Sequence, residues 1–378
     1  MEYFEMIKHT PYYHKLVAAG AKLQDRGGFA TPNFFTSISD EHKAVRERVG
    51  MFDVYYQVGV EIRGKDAEAL LVRVLVNDVR RMRDGGVIYS SICNEKGGIV
   101  DDLTCFRFSG DRFWLSPTPS RVPAVVTALE SLAGSLNVTV TNLGYGNAYL
   151  SVQGPQSREL LSALTTADLS ADALKYFAFT RGNLADVPDA VISRTGYSGE
   201  LGYELFFPVE YAEYVWDLVA KAGQQFDIRP CGMKTMRSLR IEKSYLLYGL
   251  DINEETDPLS AGLSWTVRFD DRDFVGRHAL EGIKANGVKR QLRLIDTGAI
   301  NPIVHGEKVL HNGEAVSVVT SGDPGFHLGK TFAFAYLPNE LAAPGTQVEI
   351  QLADGSATVA GTVIDRAPYD PERRRLTA

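Results

Sequence analysis

The sequence predicts an α+β chain in which two mixed modules precede a small all-β domain. Three observations carry this. Segments alternating apolar and polar residues are interleaved with segments of helical spacing through the first part of the chain. Helical periodicity nearly vanishes from about residue 285 onward. Beyond it, short apolar strands are separated by turn signals such as His311-Asn312-Gly313 and Ala353-Asp354-Gly355.

Taken in order, Pro11 to Lys22 reads as a helix, with Leu16, Val17 and Ala21 on one side. Val58 to Arg63 alternates and reads as a strand. Gly64-Lys65-Asp66 then opens a helix carrying Leu70, Leu71, Val74 and Leu75, with Asp66 as its cap. Val87 to Ile92 and Ile99 to Phe108 pair across a turn at Glu95 to Gly98, and Phe113 to Leu115 returns after Ser109-Gly110-Asp111. A helix from Pro123 to Ala133, strands Val138 to Asn142 and Tyr149 to Val152, a break at Gly154-Pro155 and a helix Ser157 to Leu164 follow. The next stretch repeats this grammar. It has a strand Ala190 to Arg194, a glycine-rich turn Gly196 to Gly202, a strand Tyr203 to Phe207, and helices Tyr211 to Ala222 and Gly232 to Lys243. Gln291 to Ile295, Glu314 to Val319, Thr331 to Tyr336, Gln347 to Leu352 and Thr358 to Ile364 are strands of a barrel or sandwich.

Composition narrows the function. The 378 residues are 44% hydrophobic and 23% charged, with a formal net charge of -7. Basic residues are scattered, so no nucleic-acid partner is expected. The run Glu372-Arg373-Arg374-Arg375 is too short to change that and reads as a solvated tail. Cys93, Cys105 and Cys231 are widely spaced, which fits a reducing cytoplasm and no metal knuckle. Met1 to Glu5 is acidic and lacks the apolar core of a signal peptide, and no apolar run approaches the ~20 residues of a membrane span. The seven histidines show no metal spacing, so no metal is expected; His42 beside Glu41 reads as a helix-surface or capping residue.

Two segments carry chemistry. In Asn94-Glu-Lys-Gly-Gly-Ile-Val-Asp101-Asp102-Leu103, adjacent strand residues point to opposite faces, so the two carboxylates are not a dyad on one surface. They are either turn-flanking acids in solvent, or one is buried among Ile99, Val100, Leu103 and Phe106 and therefore functional. In Ser193-Arg-Thr-Gly-Tyr197-Ser-Gly-Glu-Leu-Gly-Tyr-Glu204, the glycines make a tight loop where backbone can approach a flat ligand. Glu204 stands at the start of an apolar strand. Buried there, it needs a nearby Arg or an amidine-like ligand such as a pterin, whose N–H and amino groups one carboxylate can accept together. Aromatic residues are dense near both segments, as flat ligands require and as core packing also explains.

Together with Asp40 to Val54, Ile88-Tyr-Ser, Val152-Gln-Gly-Pro-Gln, Ser238 to Asp251, Pro258 to Trp265 and Asp273-Phe-Val-Gly-Arg277, these segments resemble the aminomethyltransferase (glycine-cleavage T-protein) family, in family order and over nearly the whole chain. The resemblance implies a three-domain cloverleaf around a central channel that binds tetrahydrofolate. Its domains would be residues 1–150 with 240–284 (the central folate-binding α+β domain), 151–239 (a second α+β domain) and 285–378 (a barrel-like β domain). It also implies Asp102 as the catalytic carboxylate and Glu204 as the pterin anchor. Tyr89, Tyr197 and Ser116 line the folate site on the same grounds.

Departures from the family pattern point to a changed substrate side. Tyr55-Tyr56-Gln57 stands where the family has Ser-His-Met, Trp114-Leu-Ser116-Pro117 where it has Val-Val-Asn-Ala, and Met236 where it has a folate-contacting arginine. Arg237, one step on, points about a hundred degrees away. Ala367-Pro-Tyr-Asp370 lacks a further family arginine. These features, with Asp111-Arg-Phe-Trp-Leu-Ser, resemble the tetrahydrofolate-dependent demethylase branch, typified by enzymes of dimethylsulfoniopropionate. On that reading the substrate is a small methylated molecule, held by Tyr55, Tyr56 and Trp114. Two alternatives remain at this point: an aminomethyltransferase served by a lipoyl carrier protein, and a non-catalytic folate-binding protein.

Overall fold

The structure, a computed structural model, describes residues 7–57, 59–355 and 357–378. Val58, at the head of an expected strand, and the acidic Met1 to Glu5 segment lie outside the described residues. The chain divides into two compact units, one of Met1–Gly59, Leu143–Arg240 and Glu372–Ala378, the other of Val60–Asn142 and Ile241–Pro371.

The first unit holds a six-stranded sheet in the order Phe179–Leu184, Val187–Ser193, Gly202–Pro208, Asn147–Gln153, Gly50–Asp53, Arg229–Cys231. All neighbours are antiparallel except the last pair. Helices Ser157–Ser162 and Ala212–Ala222 contribute Leu160, Leu161, Val215, Trp216 and Val219 to its core. The second unit holds a five-stranded antiparallel sheet, Val87–Cys93, Ile99–Ser109, Arg112–Ser116, Val60–Arg63, Thr139–Asn142. Helices Ala67–Val74 and Val122–Ala133 accompany this sheet.

The repeated grammar is a repeated fold. Each module runs strand, helix, three-stranded meander, helix, strand, and the sheet orders coincide once Gly50–Asp53 is removed from the larger one. The first strand-to-helix turn is the same in both. Gly64 has φ +139 and Gly154 φ +134, and a Cβ on either would lie 2.3 Å or 2.4 Å from a backbone carbonyl oxygen, of Asn137 and Arg48 respectively. Only glycine tolerates both the left-handed backbone and that approach.

Arg290–Asp296, Lys330–Pro338, Glu314–Gly325, Lys308–His311, Gln347–Gln351 and Thr358–Ile364 close into an antiparallel barrel around Ile295, Val309, Ala333, Ala335, Leu337 and Ile350. The His311 to Glu314 turn is a two-residue hairpin with Asn312 at φ 53 and Gly313 at φ 81. Alternation and turn chemistry therefore anticipated the β-barrel.

Several expectations are corrected. The first helix is only Tyr13–Ala18, because Lys22–Arg26 is instead a strand of a small sheet with Phe29–Phe34 and Lys8–His9. Asp66 sits at the helix N-cap position, yet its carboxylate accepts from the Asn137 N–H at 2.7 Å and not from its own helix. The C-terminal run is not wholly solvated: Leu376 is buried, and Arg375 donates to the Arg46 carbonyl at 3.0 Å and to the buried Glu200 at 3.4 Å.

His42 is buried, not on the helix surface, and its Nδ1 lies 2.7 Å from Ser238 Oγ. Its neighbour Glu41 does the capping. The buried carboxylate accepts from the N–H groups of Phe35 and Thr36, and from the Gly232 N–H and the Thr235 hydroxyl at the start of helix Met233–Glu242. Glu41→Ala strands four donors away from water and is expected to cost about 3–5 kcal/mol, read as a lowered denaturant midpoint at unchanged m-value.

Candidate functional site

The site in the second unit begins with strand parity. In the register Tyr89↔Thr104, Ser91↔Asp102, Thr104↔Ser116 and Phe106↔Trp114, paired residues share a face and alternate residues along each strand do too. Asp102, Tyr89, Ser116 and Trp114, four residues singled out from sequence, thus lie on one face of one sheet. Asp101, Leu103, Cys105, Phe113 and Leu115 take the other face and are buried.

The Tyr89 hydroxyl donates to Asp102 Oδ2 at 2.8 Å. Trp265 stacks on Tyr89, with ring centroids 5.8 Å apart and planes 22° apart, and is itself 57% exposed. Ser91, directly opposite Asp102, is buried with a hydroxyl that has no hydrogen-bond partner among the described residues. Trp114 donates its indole N–H to Glu61 at 3.1 Å and packs against Phe108.

Burial raises the Asp102 carboxyl above the ordinary carboxylate range. The Tyr89 hydroxyl opposes that shift, and the negative charge of Asp251 adds to it. Asp101, held on the other face by the Thr118 N–H at 2.9 Å, is raised as well, by burial and then by Asp102. Neither acid of the pair is therefore a solvated turn residue. The opposite-face reading holds; Asp101 is buried and Asp102 half-buried.

In the first unit, Glu204 pairs in register with Ser151 on one side and Ser193 on the other. Its carboxylate accepts from the Thr195 hydroxyl and from Tyr149, and burial raises its pKa. Both of its donors are hydroxyls, and no arginine is among them. Thr195 and Tyr149 escaped sequence reading. Tyr149 carried a signal, since it lies two positions before Ser151 on the alternating strand that faces Glu204.

The glycine loop is tight for a reason other than a ligand. A Cβ at Gly196 or Gly202 would stand 2.2 Å from Gln153 Oε1. The buried Gln153 amide donates to the Thr195 and Tyr203 carbonyls, and accepts from Ser198 Oγ at 2.7 Å. The loop is wound around one glutamine, and Tyr197, partly buried, packs against the core beside it.

Tyr55, Tyr56 and Met236 are all core residues of this unit. The Tyr55 hydroxyl donates to the Tyr145 carbonyl at 2.9 Å and that of Tyr56 to Met233 Sδ at 3.4 Å. Burial pushes the Tyr56 phenol up to about 12. Asp370, where the family has an arginine nearby, pairs with Lys243 at 3.0 Å in the second unit. Among the described residues no group of three or more His, Cys, Asp or Glu is placed to hold a metal, and no helix is long and apolar enough to cross a membrane.

Comparison with known proteins agrees with this architecture. Residues 12–271 match the GCVT N-terminal domain and residues 290–370 the glycine cleavage T-protein C-terminal barrel domain. An aminomethyltransferase of Halothermothrix orenii is 35% identical over 352 residues, 93% of this chain and 98% of the relative. One of Thermotoga petrophila is 35% identical over 98% of this chain and 100% of the relative. The crystal structure of glycine cleavage system aminomethyltransferase T from Bartonella henselae superposes with a TM-score of 0.88 at 27% identity, covering 97% of this chain and 99% of that one. With its family domains matched across both modules and the barrel, and its relatives aligned end to end, the chain belongs to the glycine cleavage T-protein family of tetrahydrofolate-dependent one-carbon transferases.

Proposed function

We propose that this protein is an aminomethyltransferase that passes a one-carbon unit from an aminomethylated lipoyl carrier protein to tetrahydrofolate, in the cytoplasm. The observation that carries this reading is the end-to-end 35% identity with relatives named aminomethyltransferase. The departures that suggested a demethylase acting on a small methylated substrate give that reading little support. Tyr55, Tyr56 and Met236 are spent on packing, and the Trp114 N–H on Glu61. Retention of a half-buried Asp102 hydrogen-bonded to Tyr89 argues against a non-catalytic folate binder. The three-domain division at residues 150, 239 and 284 belongs to the same proposal.

The residues fit the group. Ser91 offers an orphaned buried hydroxyl directly beside Asp102, and Glu204 is a half-buried acid whose donors are the Thr195 and Tyr149 hydroxyls. Tetrahydrofolate, when bound, supplies the nucleophilic nitrogen and the pterin. Glu204 accepts the pterin N–H and amino donors, while Tyr89 fixes the rotamer of Asp102 through its hydroxyl. Asp102 stabilises positive charge developing on nitrogen and accepts the departing proton at its carboxylate. Tyr197 and Ser116 supply walls of the folate site.

Incubating the protein with tetrahydrofolate and an aminomethyl-loaded lipoyl carrier is expected to release ammonia and form methylene-tetrahydrofolate. Formation of 5-methyl-tetrahydrofolate from sulfonium, ammonium or aryl-ether donors, with the carrier inert, reverses the assignment to demethylase.

A further inference from the structure

We infer that Ser91 is a positioning residue for the reaction: in the folate-bound protein its hydroxyl bonds to Asp102, donating to the carboxylate and accepting from the acid once the departing proton has been taken up. The inference rests on the reading of Asp102 as the acid that takes that proton. Ser91 and Asp102 are register partners on neighbouring antiparallel strands, so their side chains leave the same face of the sheet. Cβ atoms of such a pair stand roughly 4.5–5.5 Å apart, a gap that rotation of the two short side chains closes to hydrogen-bond distance. Ser91 is fully buried, and its hydroxyl has no hydrogen-bond partner among the described residues.

A buried hydroxyl without a partner is unfavourable, so Ser91 Oγ is expected to be paired in another state of the protein. Asp102 is the acceptor directly opposite. The Tyr89 hydroxyl occupies Oδ2 at 2.8 Å and is the carboxylate's one side-chain donor among the described residues, which leaves Oδ1 open. Asp102 is half-buried whereas Ser91 is wholly covered. A ligand therefore meets the carboxylate, and the serine acts on the ligand through it.

The backbone holds the hydroxyl in place. Val87–Cys93 is an edge strand, paired on its inner side with Ile99–Ser109. Its outer side is tied to the segment after helix Ala67–Val74. The Val76 N–H donates to the Ser91 carbonyl at 3.0 Å, the Asn77 side-chain amide to the Tyr89 carbonyl at 3.0 Å, and the Asn77 N–H to Ser90 Oγ at 3.0 Å. Leu75 bridges to Ile92. Tyr89 and Ser91 thus sit at alternate positions of a strand clamped along both edges, and only side-chain torsions need change to engage Asp102.

A hydroxyl carries one donor and two acceptor sites, so the same serine serves Asp102 in both protonation states. While the carboxylate faces positive charge developing on nitrogen, Ser91 donates to Oδ1 and holds it. When the N–H bond breaks, its electron pair stays on nitrogen and the proton moves to Oδ1, whose new O–H donates to Ser91 Oγ. Tyr89 keeps the other oxygen throughout. The titratable groups that bear on Asp102 are Tyr89 on the paired strand, Asp101 on the other face, and Asp251 and Tyr248 from farther along the chain. None of the last three donates to its carboxylate.

The test is Ser91→Ala in the full chain, assayed with tetrahydrofolate and the aminomethyl-loaded lipoyl carrier, with Asp102→Asn as reference. Deleting an unpaired buried hydroxyl is expected to leave the thermal midpoint unchanged or higher, while kcat falls about tenfold and the KM for tetrahydrofolate stays within about twofold. The acid limb of kcat, which reports the bound protein, is expected to move up by about half a pH unit or more, because a donor to the charged form is gone. The limb of kcat/KM reports the free protein and is expected to stay in place. A lowered midpoint, a kcat within about twofold of the parent, or equal movement of both limbs overturns the inference and leaves Asp102 its role. Near-parental turnover of Asp102→Asn removes the reading of Asp102 and this inference with it.

Discussion

Asp102→Asn is expected to lower turnover by about a thousandfold or more while tetrahydrofolate affinity stays within a few-fold of the parent. The substitution keeps size and an oxygen for the Tyr89 hydroxyl, which lies 2.8 Å away, and removes only the charge and the basic site. Turnover is read from methylene-tetrahydrofolate formation and affinity from equilibrium dialysis; near-parental turnover would remove Asp102 from the chemistry. The acting form is the carboxylate, and burial raises its pKa. Activity should therefore climb with pH through a limb lying above the usual carboxylate range. Tyr89→Phe removes a donor that favours the charged form, so the limb should move to still higher pH. The linkage to stability has the opposite sense. Asp101 and Asp102 hold protons more tightly when folded, so their contribution to stability falls as pH rises from the unfolded value through the raised one.

The second large effect concerns binding. Glu204→Ala is expected to weaken tetrahydrofolate by about 2–3 kcal/mol, roughly 30- to 150-fold, with little change in the turnover of saturated enzyme. The carboxylate is already desolvated in the fold, with burial as the leading cause of its raised pKa, so its ionised form gains when amidine-type donors arrive. A KM that rises without a fall in kcat is the signature, with the thermal midpoint as control. Equal losses in both would recast Glu204 as a residue acting on the reacting atoms.

Legibility varied with how local the determining physics is. The barrel strands, the meander Val87–Cys93 to Arg112–Ser116 and the helices flanking it follow from alternation, helical spacing and turn dipeptides, all read within a dozen residues. The helix read from Pro11 to Lys22 ran too long because its apolar residues keep helical spacing, whereas the strand Lys22–Arg26, which the sequence did not reveal, exists through pairing with Phe29–Phe34. Gly50–Asp53 could not be read from its own composition, because it is defined by partners far along the chain. At the site, parity separated Asp101 from Asp102, but how far each is buried depends on what packs over its face. Gly196 and Gly202 were legible as close-approach positions, whereas the object approached, the Gln153 side chain, belongs to a strand some forty residues earlier. Trp265 ends the family-like segment Pro258 to Trp265, and its stacking on Tyr89 is a tertiary fact.

The strand Gly50–Asp53 has a consequence for synthesis. It is sandwiched between Asn147–Gln153 and Arg229–Cys231, roughly ninety residues or more downstream. At ~5–20 residues per second, a ribosome needs about 5–20 s to deliver the nearer partner, and longer for the farther one. All of Val60–Asn142, a module whose hairpins close locally, emerges in that interval. The earliest-made segment must therefore wait, unpaired, while a later one completes its sheet. A nascent chain arrested before residue 143 should be captured by chaperones through this apolar stretch.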